Sequence, residues 1–384
     1  MSVLPESGVI SFARGIPAPG MFPTAELAEA SRRAFREHSA TALNYGAPRG
    51  FPPLQEWLGN LHGAAADTVV ITPGSCILLT LLVRALVPTP RPVLVEAPTY
   101  DRMIRLLRRA DAQIVPIRHG HRGLDLLALE EYLRAGNRPA FLYLMPSFHN
   151  PTGATLSLRD RERLADVAIR YELLLVEDDP YGLLRFDGES PPSIYSLLQA
   201  RGAGHLSVFT SSFSKIIAPG LRVGYGLLPE SLVKPVADIA MEMYVSPPLW
   251  PQAEVYEFLR AGFLEPHLAR VRELLRSRRD ALVERLTVGL QGQAFWSTPE
   301  GGYFLWLKLP REVAAQDLLE DCLRARVAFV PGPAFFIGHG GENYARLSFS
   351  FPAVKDIRVG ADLVVEMVQD RLANLTGIRT APRP

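Results

Sequence analysis

Cysteine, lysine and net charge are all scarce in this 384-residue chain. The two cysteines, Cys76 and Cys322, lie far apart and show no CxxC or Cys/His spacing. Neither a disulfide framework nor a metal site is suggested, and a cytoplasmic, reducing location fits. Lysine plus arginine is 41 against 40 for aspartate plus glutamate, a net charge of +1. That balance offers no general attraction for nucleic acid or an anionic membrane. An uninterrupted apolar run of about 18 residues is missing, so no membrane span is expected. The opening MSVLPESGVISFARG has neither the basic start nor the apolar stretch of a secretion signal. The closing TGIRTAPRP is polar and expected to fray, with its arginines solvated. No internal repeat or low-complexity tract is seen. The first strand–helix turn, Thr72-Pro73-Gly74-Ser75, lacks GxGxxG, which argues against a dinucleotide-binding hydride-transfer enzyme.

Hydrophobic residues are plentiful at 48%, enough for a sizeable core. At roughly 100–200 residues per domain, two domains or one domain with an appendage are expected. From residue 67 onward, short runs rich in valine, leucine and isoleucine alternate with segments of helical spacing. The runs at 67–72, 92–96, 113–117, 140–145, 173–177, 206–210 and 222–228 read as strands. The segments at 75–87, 100–109, 126–134 and 158–171 read as helices. Continuous apolar strands separated by helices imply a doubly wound α/β domain with a mostly parallel sheet. Residues 252–287 carry long helical periodicity and read as a linking helix pair. Strands at 304–309, 327–330 and 345–351 and a helix at 356–372 then suggest a smaller α+β domain. Residues 1–45 show no strong strand–helix unit and are expected to pack on the small domain or a neighbouring subunit. The expected division is 1–45 as this segment, 46–275 as the large domain and 276–384 as the small one.

Open parallel sheets bind ligands beyond the carboxyl ends of their strands. Five predicted strand ends place polar residues there. They are Gly74-Ser75-Cys76, Thr99-Tyr100, His149-Asn150-Pro151-Thr152-Gly153, Asp178-Asp179-Pro180-Tyr181, and Ser211-Ser212-Phe213-Ser214-Lys215. Lys215 is one of four lysines in a chain that otherwise uses arginine. A lone lysine is usually solvated. One that follows a strand and a serine cluster is a candidate nucleophile, because lysine can be activated by desolvation or a nearby cation and arginine cannot.

The segments NYGAPRGFPPLQEWL, HNPTG, VEDDPYGLLRF, SSFSKIIAPGLRVGY and RLSFS, in that order, resemble the fold-type I aminotransferases of the class I/II group. The EDDPYG and SFSK forms look most like the branch of 2-aminoadipate and broad-specificity aromatic aminotransferases. The resemblance spans roughly residues 10–370 and implies pyridoxal 5'-phosphate as cofactor, with amino-acid and 2-oxo-acid substrates. It implies that Lys215 forms the Schiff base and moves the substrate α-proton. Asp178 would pair with the pyridine nitrogen, and Asp179 would be a turn or capping acid. Tyr181 and Asn150 would hydrogen-bond the phenolic oxygen, and Tyr100 would stack on the ring. Gly74, Ser75 and Cys76 would offer backbone N–H groups to the phosphate, joined by Ser212 and Arg222. Tyr45 would reach the phosphate in a partner subunit, making a homodimer with composite sites. Arg346 would grip the substrate α-carboxylate, with Gly15 beside it. Arg14 would suit an acidic side chain such as that of 2-aminoadipate or glutamate if it points inward, and a surface position is the alternative.

The chain departs from the family pattern in three places. Cys76 and Ile77 replace a common Gln-Gln pair, His149 stands where glutamine is common, and Arg14 stands where a small residue is common. These bear on substrate rather than cofactor. Substrate selection is expected in residues 14–22, His149 and residues 246–250. The favoured reaction is amino-group transfer by a ping-pong mechanism, with glutamate and 2-oxoglutarate as one pair. The same cofactor residues would also serve elimination, cyclisation, decarboxylation or oxidation of an unusual amino acid in secondary metabolism. Some transcriptional regulators carry a similar domain after a winged helix. The neutral charge and the early position of the Gly15 turn speak against that reading.

Overall fold

A computed structural model describes residues 8–87, 91–120 and 123–376. The opening residues read as leaderless and most of the polar C-terminal tail lie outside the described residues. The chain begins with β1 (Ile10–Ser11) and α1 (Thr24–Ala42), then α2 (Pro52–His62) and β2 (Val69–Thr72). Next come α3 (Ser75–Leu86), β3 (Val93–Ala97), α4 (Asp101–Arg109), β4 (Ile114–Gly120), β5 (Gly123–Leu124) and α5 (Leu126–Arg134). They are followed by β6 (Phe141–Leu144), α6 (Leu158–Tyr171), β7 (Leu175–Asp178), α7 (Ile194–Ala200), β8 (Ser207–Ser212) and β9 (Gly224–Leu227). Three helices lead away: α8 (Glu230–Tyr244), α9 (Leu249–Arg260) and α10 (Leu264–Leu290). The rest comprises β10 (Phe295–Trp296), β11 (Phe304–Lys308), α11 (Ala315–Arg324), β12 (Val327–Ala328), β13 (Val330–Pro331), β14 (Tyr344–Ser348) and α12 (Val354–Thr376).

The large sheet has the order β2-β9-β8-β7-β6-β3-β4-β5. Its central strands β8, β7, β6, β3 and β4 are parallel. β9 runs antiparallel to both β2 and β8, and the short β5 runs antiparallel to β4. Both faces are covered, and the alternation along the strands shows it. Val93, Val95, Phe141, Tyr143 and Val176 enter one apolar cluster, while Leu94, Leu142, Leu144 and Leu175 enter another. A period of two sends successive side chains to opposite faces, so strands buried on both sides read as unbroken apolar runs.

Helix entry is set by local chemistry. Asp125 caps α5 by accepting from the N–H groups of Leu127 and Ala128. Ser157 and Ser193 cap α6 and α7 in the same way. At α3 the cap position is Gly74, which brings no side-chain acceptor.

The smaller sheet, β10-β11-β14-β13, is antiparallel. The expected linking helices are α9 and α10. The expected boundary at residue 275 falls inside α10, one continuous helix that serves both units. The N-terminal segment differs from its expectation. β1 pairs with β12 in the small unit, but α1 is a 19-residue helix packed on α9. Ser31 donates to Glu254 at 2.6 Å, and His38 Nε2 lies 2.8 Å from Glu257. The buried face of α1 consists of Ala30, Ala34 and Ala42. It therefore has no stripe of large apolar residues to betray it in the sequence.

Candidate active site

Residues from several strand ends come together around Lys215 and Asp178. Lys215 sits in the turn between β8 and β9, with its Nζ donating to the Gly15 carbonyl at 2.5 Å. Its own carbonyl accepts from the Tyr303 hydroxyl at 2.7 Å, which fixes the backbone of the turn. Burial takes the Lys215 amine down to about 8. Cys76 opposes that shift, whereas Arg346, Arg102 and Arg222 add to it. A desolvated ammonium ringed by guanidinium groups gives up its proton readily.

Asp178 closes β7 and is 2% exposed. Tyr143, on the same sheet face, donates to its Oδ2 at 2.7 Å. Oδ1 has no partner among the described residues. Burial first, with Asp179 adding, raises the carboxyl to about 7, against the pull of Tyr143 and Lys215. A buried carboxylate oxygen without a donor costs about 1–3 kcal/mol, and such an orphan calls for an explanation. Asp179 turns the other way, and its Oδ1 accepts from Gly182 N–H at 2.7 Å.

Arg346, on β14, is buried at 7% exposure. It donates to Asn150 Oδ1 and to the Ala13 carbonyl, each at 2.8 Å. Its guanidinium lies over Phe304 at 4.3 Å and Phe335 at 4.9 Å, and its Nε is unpartnered. Burial lowers its pKa. Tyr181 is buried beside Tyr303 and Phe304, and burial raises its hydroxyl while Arg346 pulls the other way. Gly15 has no room for a side chain, because an added Cβ would stand 2.6 Å from Phe304.

A second group forms the far end of the site. Gly74 has φ +90° and an added Cβ would collide with Arg222. Arg222 donates to the Pro73 carbonyl at 2.9 Å and approaches Ser214 Oγ at 3.4 Å. Ser212 Oγ donates to Ser214 Oγ at 2.9 Å. Gly224 packs so closely on the start of α3 that any side chain would strike Ser75 N. Ser75 and Cys76 thus open a helix that no side chain caps, flanked by a guanidinium and two serines. Free N–H groups with a fixed cation make an anion site. Tyr100 caps α4, and its hydroxyl lies 3.7 Å from Cys76 Sγ.

Three more expected residues have other surroundings. Tyr45 is 83% exposed in the single chain. The Arg14 guanidinium lies over the Phe351 ring at 5.7 Å. His149 is 1% exposed and faces Glu96 and His119. Tyr143, Tyr303, Phe304 and Phe335 carry no motif and were not among the expected site residues. Tyr143 in particular reads in sequence as one more core aromatic.

These residues fit pyridoxal 5'-phosphate. The orphan Asp178 Oδ1 suits a protonated ring nitrogen, the depressed Lys215 amine suits an aldehyde, and the uncapped helix with Arg222 suits a phosphate.

The family model for aminotransferase class I and II matches residues 7–361. A 2-aminoadipate transaminase of Thermus thermophilus is 40% identical over 346 residues, covering 89% of this chain and 86% of that protein. An aromatic-amino-acid aminotransferase of Thermococcus litoralis is 30% identical, covering 97% and 91%. The crystal structure of the α-aminoadipate aminotransferase from Thermus thermophilus, in complex with N-(5'-phosphopyridoxyl)-L-leucine, superposes with a TM-score of 0.91. It is 35% identical, with 96% of this chain and 94% of that chain covered.

Proposed function

We propose, for a chain that belongs to the class I and II aminotransferases, a specific division of labour among its residues and a specific pair of half-reactions. The chain is an enzyme that uses pyridoxal 5'-phosphate to move amino groups between amino acids and 2-oxo acids. When bound, that cofactor supplies an electron sink for the negative charge left at the substrate α-carbon. The buried Lys215 amine, held on the Gly15 carbonyl, together with an Asp178 carboxylate oxygen that has no donor among the described residues, carries the proposal.

Lys215 holds the cofactor covalently and then, as a free amine, takes the proton from the substrate α-carbon. A base near neutrality is best placed for this transfer. Asp178 keeps the ring nitrogen protonated, and Tyr143 holds that carboxylate in line through its hydroxyl. Tyr181 and Asn150 orient the phenolic oxygen, and Tyr100 covers the ring. Gly74, Ser75 and Cys76 present N–H groups to the phosphate, with Ser212 and Arg222 adding a hydroxyl and a charge. Arg346 binds the substrate α-carboxylate through its Nε and one terminal nitrogen, and Gly15 lies beside it. Asn150 meanwhile holds the guanidinium at 2.8 Å.

The reaction runs as ping-pong, with glutamate and 2-oxoglutarate as one pair, and Arg14 favours an acidic donor such as 2-aminoadipate. The relatives named for 2-aminoadipate support that choice. Residues 46–275 form the cofactor-binding domain and 276–384 the small domain, with 1–45 leaning on both. Two subunits share each site. Tyr45 is exposed in one chain and reaches the partner's phosphate, as Phe35, Leu43, Met241 and Val245 also expose apolar surface. No helix among the described residues is long and apolar enough to cross a membrane, and both cysteines are free, which suits a reducing cytoplasm.

The test is a product burst. L-Glutamate added to loaded enzyme without an acceptor should release one equivalent of 2-oxoglutarate per site and then stop. A second 2-oxo acid should restart turnover. Continuous product release without an acceptor, or loss of a side-chain fragment, would refute the reading.

A further inference from the structure

On the sheet face away from Asp178 lies a buried group that the proposed chemistry does not use. Glu96 is near the end of β3, His119 is near the end of β4, and His149 follows β6. Glu96 is opposite Ile117 in the parallel register, so Glu96 and His119 share a face. That is the face of Leu94 and Ile117, whereas Asp178 shares its face with Tyr143. Glu96 and His149 are each 1% exposed, and the His119 side chain is 5% exposed.

The three side chains point their donor atoms at one another. His119 Nε2 is 3.4 Å from Glu96 Oε1, and His149 Nε2 is 3.2 Å from Glu96 Oε2. Neither contact has hydrogen-bond geometry, and both Nε2 atoms are buried with no hydrogen-bond partner among the described residues. One donor atom from each residue falls in a group whose members all lie within 4.8 Å of one another. Tetrahedral zinc with bonds of about 2.0–2.1 Å sets its ligand atoms about 3.3 Å apart. The separation from each imidazole to its nearer carboxylate oxygen, Oε1 for His119 and Oε2 for His149, is close to that edge. The outer contacts suit the same arrangement. His149 Nδ1 is 2.9 Å from Thr152 Oγ1 and accepts from the Thr152 N–H at 3.4 Å, so a metal at Nε2 requires the ring proton to move to Nδ1 and be donated to Oγ1. Glu96 Oε2 accepts from Met145 N–H at 2.9 Å, which orients the carboxylate.

We propose that Glu96, His119 and His149 form a buried binding site for one divalent transition-metal ion of the zinc class. Two imidazoles and a carboxylate are a donor set that such ions prefer over calcium or magnesium. A water completes the fourth position. The site is a clamp rather than a second reaction centre. It ties β3, β4 and the loop after β6 together, and the residue next to His149 is Asn150, which holds Arg346. The group was invisible in sequence because its members are 23 and 30 residues apart and meet only through strand register.

The experiment uses cobalt(II) as the probe, supplied in the growth medium so that it meets the chain during folding. The cofactor-loaded enzyme is purified, dialysed against buffer and assayed for cobalt by elemental analysis and visible absorption. We expect one cobalt per chain with the strong absorption of a four-coordinate site, and a higher Tm than metal-free enzyme. His149→Gln restores the side chain common in the family, so it should fold and load cofactor, yet its cobalt should fall to background. His119→Asn should do the same. Thr152→Val should weaken cobalt retention against a chelator by about 10–100-fold, as loss of an outer-shell partner does. Wild-type enzyme without cobalt would overturn the proposal. So would cobalt that persists in both histidine variants, or that disappears only on Cys76→Ser.

Discussion

Replacing Asp178 by asparagine should stabilise the cofactor-free protein and disable the loaded one. The Asp178 carboxyl moves from 3.8 to about 7 on folding, because it is buried with one oxygen unpaired. A difference of that size corresponds to about 4 kcal/mol once the pH exceeds both values. The folded state holds the proton more tightly than the unfolded state, so the wild type is penalised as pH rises from 3.8 to about 7. Asparagine carries no charge and escapes this penalty. Its carbonyl can still accept from Tyr143, but its new N–H groups lack an acceptor and cost about 1–3 kcal/mol. The net expectation is a gain of about 1–3 kcal/mol at about pH 8, shrinking or reversing at about pH 4. Urea denaturation of both cofactor-free proteins across that range measures it. A stability difference that stays flat from acid to alkaline pH would refute the reasoning. In the loaded enzyme the order should invert, because the proposed role of Asp178 gives its carboxylate the ring nitrogen as partner.

Arg346→Lys should lower kcat/KM for amino donors by about 10–100-fold, since a charged hydrogen-bond pair contributes about 1.5–3 kcal/mol. Cofactor affinity should be unchanged, and steady-state kinetics with a cofactor titration separate the two. Tyr45→Phe should weaken cofactor binding about tenfold. Unchanged affinity would remove Tyr45 from the neighbouring site. Gly74→Ala forces a side chain into φ +90° and against Arg222, so it should cost about 1–3 kcal/mol in urea denaturation. It should also loosen the cofactor phosphate.

Much of this was legible because buried parallel strands leave long apolar runs and place polar residues at one sheet edge. The helices at 126–134 and 158–171 coincide with α5 and α6, where capping residues mark the start. α1 escaped because its buried face is alanine, which looks the same in a solvated helix. The antiparallel course of β9 escaped because strand direction leaves no trace in composition. Its glycines make sense only in space, where Gly224 lies against Ser75 and Gly226 against Leu78. In the site, motif residues were readable and their supports were not. Tyr143 and Tyr303 act on Asp178 and on the Lys215 backbone from positions far away in sequence. His149 stood out as a departure, but only the register of β3 and β4 shows what it faces.

The account stands or falls on Lys215 as the covalent carrier. Borohydride reduction of the loaded wild-type enzyme, followed by peptide mass mapping, tests this directly. The chain has only Lys215, Lys234, Lys308 and Lys355 to choose from. The account predicts one pyridoxyl phosphate adduct per chain, on Lys215. An adduct on any of the other three lysines with Lys215 unmodified would contradict it.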